Sequence, residues 1–449
     1  MKRKFFSALL CAMISFCLIV SSAACAPEEN KEPDDGGPPI VTPQPDDDKD
    51  NETPGEDPDG EGDPSGEGPG EDETPDEEPP SESGLSFELH SDGYTCYVSG
   101  IGTCTDTEIV IPDTHNGSPV VNIGGHSFSG SDIKSIVIPD SVVGIGEGAF
   151  SGCTSLTDVT LGAKTQTIKA QAFQGCTNLT NINIPESVTT IGEGAFSGCD
   201  KLEQTENGVH YIAGWVIDCE TTVENVTLRQ GTTGIANRAF FLCAQLKSIT
   251  LPESLTAIDT FAFSGCSALT SIDLPENLVS IGVSAFEACS SLTSIAIPDG
   301  VRTIGERVFS GCTAMTQAVI PAGLTSVGPF AFYNCSQLSA VTLPDGLASI
   351  GESAFSGCAR LKSVFIPDSV TTIGTSAFSH CEQLSAVAVG SNVMTIGRYA
   401  FENCTSLTSV IFKNTIGWTI YDEPIDVADP AQNAANLTGT YCWSDWTRN

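Results

Sequence analysis

A phenylalanine returns every 23 residues along most of this chain. After Phe128 the anchors are Phe150, Phe173, Phe196, Phe240, Phe263, Phe286, Phe309, Phe332, Phe355, Phe378 and Phe401; the first interval is 22, the one between Phe196 and Phe240 is 44, and every other is 23. Three residues after each anchor from Phe150 stands a Cys: Cys153, Cys176, Cys199, Cys243, Cys266, Cys289, Cys312, Cys335, Cys358, Cys381 and Cys404. Three further on comes a Leu, replaced by Met315 in one unit. A period of this length with fixed apolar positions marks one small supersecondary unit per repeat, and no such unit can bury its apolar edges alone. The chain is therefore expected to stack its units into a solenoid.

The unit from Ser264 to Phe286 shows the local logic. Ile272 and Leu274 lie two apart, on one face of a short strand. Pro275 follows and ends it, because proline has no N–H to continue a ladder. Ile281 turns the chain inward again, and Ser284-Ala285-Phe286 is expected to form a short helical turn. The stretch Asp368-Ser369-Val370-Thr371-Thr372-Ile373-Gly374-Thr375-Ser376-Ala377-Phe378-Ser379-His380-Cys381 resembles the BspA-type (Treponema-type) leucine-rich repeat surface proteins, and the likeness extends over about residues 105–412. It implies a leucine-rich repeat solenoid over 108–412, with a parallel β-sheet of short strands on the concave face and turns and short helical turns on the convex side. Residues 85–107 resemble the family's N-terminal cap. Residues 413–449, including Asp429-Pro430, Tyr441-Cys442-Trp443 and Trp446-Thr447-Arg448-Asn449, resemble its C-terminal cap. End rungs require such covers, since each exposes an apolar edge.

Charge narrows the function. The formal net charge is −38, from 57 acidic and 19 basic residues. Nucleic acid as partner is disfavoured, because phosphate binding needs clustered Lys and Arg; a polybasic membrane contact is disfavoured for the same reason. The five His are scattered, so neither a metal nor a catalytic His centre is indicated, and no cofactor is expected.

Lys2, Arg3 and Lys4, the uncharged run over 5–20 and Ser21-Ser22-Ala23-Ala24 read as a secretory signal over 1–24. That run is short for a membrane span. Small residues directly before Cys25 resemble a bacterial lipoprotein signal, which would leave Cys25 lipid-modified and the chain anchored. Ser22 stands where such signals carry Leu, and ordinary cleavage after Ala24 is the alternative. Residues 25–84 are Asp, Glu, Gly, Pro, Ser and Thr with almost no apolar side chain, and 28–82 alone hold 23 acidic residues against two Lys. Such a tract cannot bury enough surface to offset its ordering entropy, and is expected to be a disordered stalk.

Four features are candidate sites. The Cys column reads first as buried thiols filling a repeated turn, with disulfides between neighbouring rungs the alternative; a disulfide between Cys96 and Cys104 is also open. Asp140, Glu186, Glu253, Glu276, Asp299, Asp345 and Asp368 follow the strand prolines, where turn formation and divalent-cation binding are alternatives and the turn is favoured. Four residues after each Leu, the solvent-facing strand position runs Thr160, Asn183, Thr250, Asp273, Ala296, Val319, Thr342, Phe365, Ala388, Ile411. From Ala296 onward this is a mostly apolar strip about 24 Å long at ~4.8 Å per strand, suited to a protein contact or merely to β-propensity. Finally, the 44-residue interval hides an insertion near 203–223, where alternation about Ala213-Gly214 predicts a β-hairpin. His210, Tyr211 and Trp215 either contact a ligand or cover the solenoid edge.

The expected molecule is a non-enzymatic, monomeric, exported surface protein. Its expected partners are extracellular or cell-surface proteins, with adhesion implied by the family resemblance. A carbohydrate-binding or enzyme-accessory module and a passive envelope spacer are the alternatives.

Overall fold

The computed structural model describes residues 84–302 and 304–448; the 1–24 segment, Cys25 and the acidic tract up to residue 83 lie outside them. The repeats coil into a parallel β-solenoid of about 14 turns. Most rungs add a short strand to a first ladder, as in Ser294–Ala296, Gln317–Val319 and Ala340–Thr342, or Ser363–Phe365, Ala386–Val389 and Ser409–Phe412, although the rung around Ile272, whose spacing predicted a strand, forms none. Partners in these ladders are offset by one repeat, so Ile295 faces Ala318 and Ala318 faces Val341. Along these strands buried and outward residues alternate, as in Ser294–Ala296, Gln317–Val319 and Ser363–Phe365, the period-two pattern of a half-buried sheet. The proline that follows most strands ends each one.

The chain then folds back through a second parallel ladder of two-residue strands, including Thr167–Ile168, Thr190–Ile191, Ser349–Ile350, Thr372–Ile373 and Thr395–Ile396. Its isoleucines point into the core, where Ile168, Ile191 and Ile373 are buried.

The third side differs from the expected helical turns. Alternate amides point along the solenoid axis: Gly148 N donates to Ala170 O at 2.9 Å, Phe150 N to Ala172 O at 2.7 Å and Gly152 N to Gln174 O at 2.7 Å. The intervening amides close local turns, as Ser151 N does to Gly148 O at 2.9 Å. This zigzag requires left-handed backbone at two positions per rung. One holds Gly148, Gln171, Arg238, Phe261, Ser284, Arg307, Phe330 and Tyr399, all with φ between 53° and 60°; the other holds Gly152, Gly265, Ala288 (φ 58°) and Asn334. Rung-to-rung bonding thus replaces the helix, and the left-handed conformation, costly for L-residues, is imposed even where no glycine occupies it.

Inside, the phenylalanines form a continuous stack on either side of one break. Successive ring centroids lie 5.0–5.6 Å apart. Phe196 and Phe240 flank the break, and there the buried core divides in two. Residues Gln204–Glu206, Val209–Ile212 and Trp215–Cys219 form an antiparallel meander in the gap. Its turns, Asn207-Gly208 and Ala213-Gly214, have positive φ at both residues, which matches the twist of tight hairpins. Val209, Tyr211 and Val216 pack on the later core, whereas Ile212 and Trp215 pack on the earlier one. The last strand pairs in parallel with Gly234–Ile235, so the meander stands in for a rung of the second ladder. Trp215 lies flat against Gly234, where a Cβ would come within 2.5 Å of the ring.

Two backbone groups of Ile191 tie the halves together. Its carbonyl accepts from Asn237 N at 2.9 Å, and its N–H donates to the buried Asp259 carboxylate at 2.9 Å. Beyond the last rung, Trp446–Arg448 pairs antiparallel with Thr395–Ile396 and ends the parallel ladder. Trp418 and Trp446 are buried against Phe412. A helix at Pro430–Ala435, capped by the Asp429 carboxylate, packs on the final strand.

Two stability measurements follow from this architecture. Truncation of the stack by Phe286→Ala is expected to cost about 3–5 kcal/mol in denaturant unfolding, whereas Ala288→Gly, which relieves a left-handed alanine, should stabilise by about 0.5–1 kcal/mol. Burial, opposed by the Thr260 and Ile191 amides, pushes the Asp259 carboxyl up from 3.8 to about 6. The folded chain therefore holds this proton more tightly than the unfolded chain, and the contribution to stability falls as pH rises from about 4 to 6. Asp259→Asn keeps an acceptor for Ile191 but has no proton to lose. Against wild type it should gain on the order of 2–3 kcal/mol between pH 4 and 7, read as the difference between two unfolding titrations.

Candidate interaction surface

The solvent-facing strand positions form rows whose spacing the ladder sets. Ala296, Val319 and Thr342 are in register on successive strands, as are Phe365, Ala388 and Ile411. Val319 is 59% exposed, Phe365 49% and Ile411 53%, while Ala388 is half-buried between the last two. The flanking outward positions Ser294, Gln317, Ala340 and Ser363 are small or polar and exposed. Their side chains do not shield the larger ones. The strip is interrupted between Thr342 and Phe365, where the strands adjoin without ladder pairing.

Lys413 shapes its C-terminal end. Its Nζ lies 4.6 Å from the Phe365 ring centroid, a cation–π contact, and 3.0 Å from Asp368 Oδ1. The Ser391 amide and then Lys413 hold the Asp368 carboxyl below its usual range. The same outward position is apolar again at the other end: Val110 and Val137, both over 40% exposed, are in register with Thr160. Sequence reading from Thr160 onward missed them, although the Ile-Val pairs at 109–110 and 136–137 carried the signal. Asn183, also a strip position, serves the fold instead. Its amide bonds both Leu161 N at 2.7 Å and Leu161 O at 2.8 Å, taking the place of a strand partner where the first ladder stops before the meander.

The hairpin side chains require a correction as ligand contacts. Trp215 and Tyr211 are buried, 2% and 4% exposed, because the meander fills the gap between the two cores. Arg229 covers the Tyr211 ring at 4.1 Å and binds Glu206 at 2.6 Å. His210, half-buried, is held by Glu203. Tyr211 and Trp215 are thus taken up by packing and offer no ring face to solvent.

The column cysteines are all free and buried. Ten of them donate S–H to the Phe carbonyl of the preceding rung at 2.9–3.3 Å. Cys243, the first after the meander, neighbours Cys219 of the meander instead. Burial pushes Cys289 and Cys335 up to about 12, so neither forms a thiolate at neutral pH. Cys96 and Cys104 are free as well; Cys96 Sγ faces the carbonyls of Ser118 and Pro119 at 3.5 Å. Two members of the acidic series bond the next turn, Asp140 to Ala163 N at 2.6 Å and Asp368 to Ser391 N at 2.8 Å. Among the described residues no group of three or more His, Cys, Asp or Glu is placed to hold a metal ion, and no helix is long and apolar enough to cross a membrane. Among the described cysteines, alkylation of the native chain followed by peptide mass mapping should modify Cys104 and Cys442, the partly exposed pair, and reach the column only after denaturation.

The repeat profile described as the BspA type leucine rich repeat region matches residues 104–216, 218–328 and 302–422, with six copies. No curated protein matches significantly. Among solved structures, a leucine rich cell surface protein from Faecalibacterium prausnitzii is 28% identical, with 75% of this chain and 95% of that one covered and a TM-score of 0.32. A leucine-rich repeat protein from Bacteroides ovatus is 27% identical over 73% and 92% of the two chains, TM-score 0.33, and one from Eubacterium ventriosum 23% identical over 66% and 93%, TM-score 0.38. Superpositions that loose carry no weight for function. The in-phase repeats and their match over most of the described residues identify the chain as a member of the BspA type leucine-rich repeat family.

Proposed function

We propose that this chain is an exported binding protein, displayed at the cell surface, whose sheet face docks extracellular or cell-surface proteins and thereby supports adhesion. The observation that carries the reading is the exposure of Val319, Phe365 and Ile411 on two adjoining ladders whose registers hold them in place. Large apolar side chains standing out from small neighbours resemble the anchors that dominate protein interfaces. A rigid sheet also loses little conformational freedom on binding.

The N-terminal residues support display. Lys2, Arg3 and Lys4, the apolar run and Cys25 have the order of an export signal with a lipid-attachment site, and the acidic tract after it suits a tether that holds the solenoid away from an envelope. Recognition by the solenoid needs no catalytic group. A passive spacer would have no use for the exposed rows.

The test is binding of the purified 25–449 chain to immobilised extracellular-matrix proteins, compared with a Val319→Glu, Phe365→Glu, Ile411→Glu variant. Affinity should fall on the order of a hundredfold or more, from ~1 kcal/mol or more per anchor, with unfolding unchanged within about 0.5 kcal/mol per site. Undiminished binding by the folded variant would move the contact off this face, and absence of any binding would favour the spacer.

A further inference from the structure

The join between the two core halves leaves a shallow, largely open cleft of about 450 Å³ on the turn side. Its principal side chains are Glu147, Lys169, Glu193, Asn237, Arg238 and Phe261. We propose that this cleft is a binding site for a neutral saccharide, separate from the sheet face and independent of the adhesive reading.

The charges argue for a neutral guest. Arg238 Nη1 is paired with Glu193 Oε1 across the join at 3.2 Å, and the Arg238 guanidinium carbon lies 5.2 Å from the centre of the Phe261 ring. Its charge is therefore already partnered, and Glu147 and Glu193 would repel an anion, just as Lys169 and Arg238 would repel a cation. What remains on offer is a mixed set of donors and acceptors, the complement of a ring bearing hydroxyl groups.

Asn237 adds an acceptor in need of a donor. Its backbone N–H is used by Ile191 O, yet its side-chain Oδ1 is shielded from solvent with no hydrogen-bond partner among the described residues. A buried amide oxygen left unmatched is costly, and rotation of the half-buried Asn237 side chain would bring it into the cleft to accept a ligand O–H. Phe261 supplies the apolar half. The residue is half-exposed beside the edge-on Phe241 ring at 6.4 Å, at the left-handed turn position that Arg238 occupies one rung earlier. The turn aims this side chain away from the core, and a flat aromatic face suits the C–H face of a sugar ring.

The chain contains its own control. Three rungs on, Arg307 lies 4.3 Å from the Phe330 ring centre in the same arrangement, but Glu306 replaces Asn237 and no rung is displaced there. Calorimetric titration of the full exported chain with short cello-, malto-, manno-, xylo- and chito-oligosaccharides tests the proposal. At least one should bind saturably. Phe261→Gly and Asn237→Ala should each weaken that binding about tenfold or more, Phe330→Gly should leave it unchanged, and the Phe261→Gly chain should unfold at a temperature no lower than wild type. Failure of every sugar in the panel to bind, binding only by sulfated oligosaccharides, binding that survives Phe261→Gly and Asn237→Ala, or an equal loss in Phe330→Gly would overturn it.

Discussion

Rung spacing is the constraint on which everything else in this molecule depends. Parallel strands stack at ~4.8 Å, and the phenylalanine rings, at 5.0–5.6 Å, follow that spacing with little tilt. A column of side chains this close accepts few residue types, because each member must fit against copies of itself above and below. The cysteine column obeys the same limit. Its thiols are small enough to stack, and all but Cys243 donate to a buried Phe carbonyl of the preceding rung. The family's repeat is thus a packing rule written 23 residues at a time.

The meander is a defect compensated in several columns but not in all. Its last strand continues the second ladder, and Cys219 continues the thiol column, yet the ring stack is not restored between Phe196 and Phe240. Asp259 bridges the remaining gap by accepting the Ile191 amide, at the cost of a buried carboxylate. That imperfect closure is also what leaves room for the cleft beside Asn237 and Arg238.

Two faces remain for variation. On the sheet face the outward strand positions are unconstrained by packing, so Val110, Val137, Val319, Phe365 and Ile411 can be apolar without any structural demand. On the turn side, backbone bonding imposes a left-handed residue whose side chain lies away from the core, and the chain places Arg238, Phe261, Arg307 and Phe330 there rather than glycine. Stability is therefore carried by the inward positions of the short unit, and the outward ones are left free to vary.

Periodicity alone disclosed the stacking, the inward Ile272, Phe286 and Cys289 and the hairpin around Ala213-Gly214, because each depends on local chemistry or on spacing along the chain; the strand expected before Pro275 does not form, and Ile272 is buried without ladder pairing there. The turn segment misled, since Ser284-Ala285-Phe286 has helical composition and the competing bonds come from the next rung, which no single unit displays. Tyr211 and Trp215 misled in the same way: two aromatics on a hairpin look available until the neighbouring cores close on them. Asp259, Asn237 and Phe261 carry no sequence signal at all. Their roles arise where residues 45 to 68 positions apart meet at the join, and only the stacked structure brings Ile191, Glu193, Asn237, Arg238 and Asp259 together.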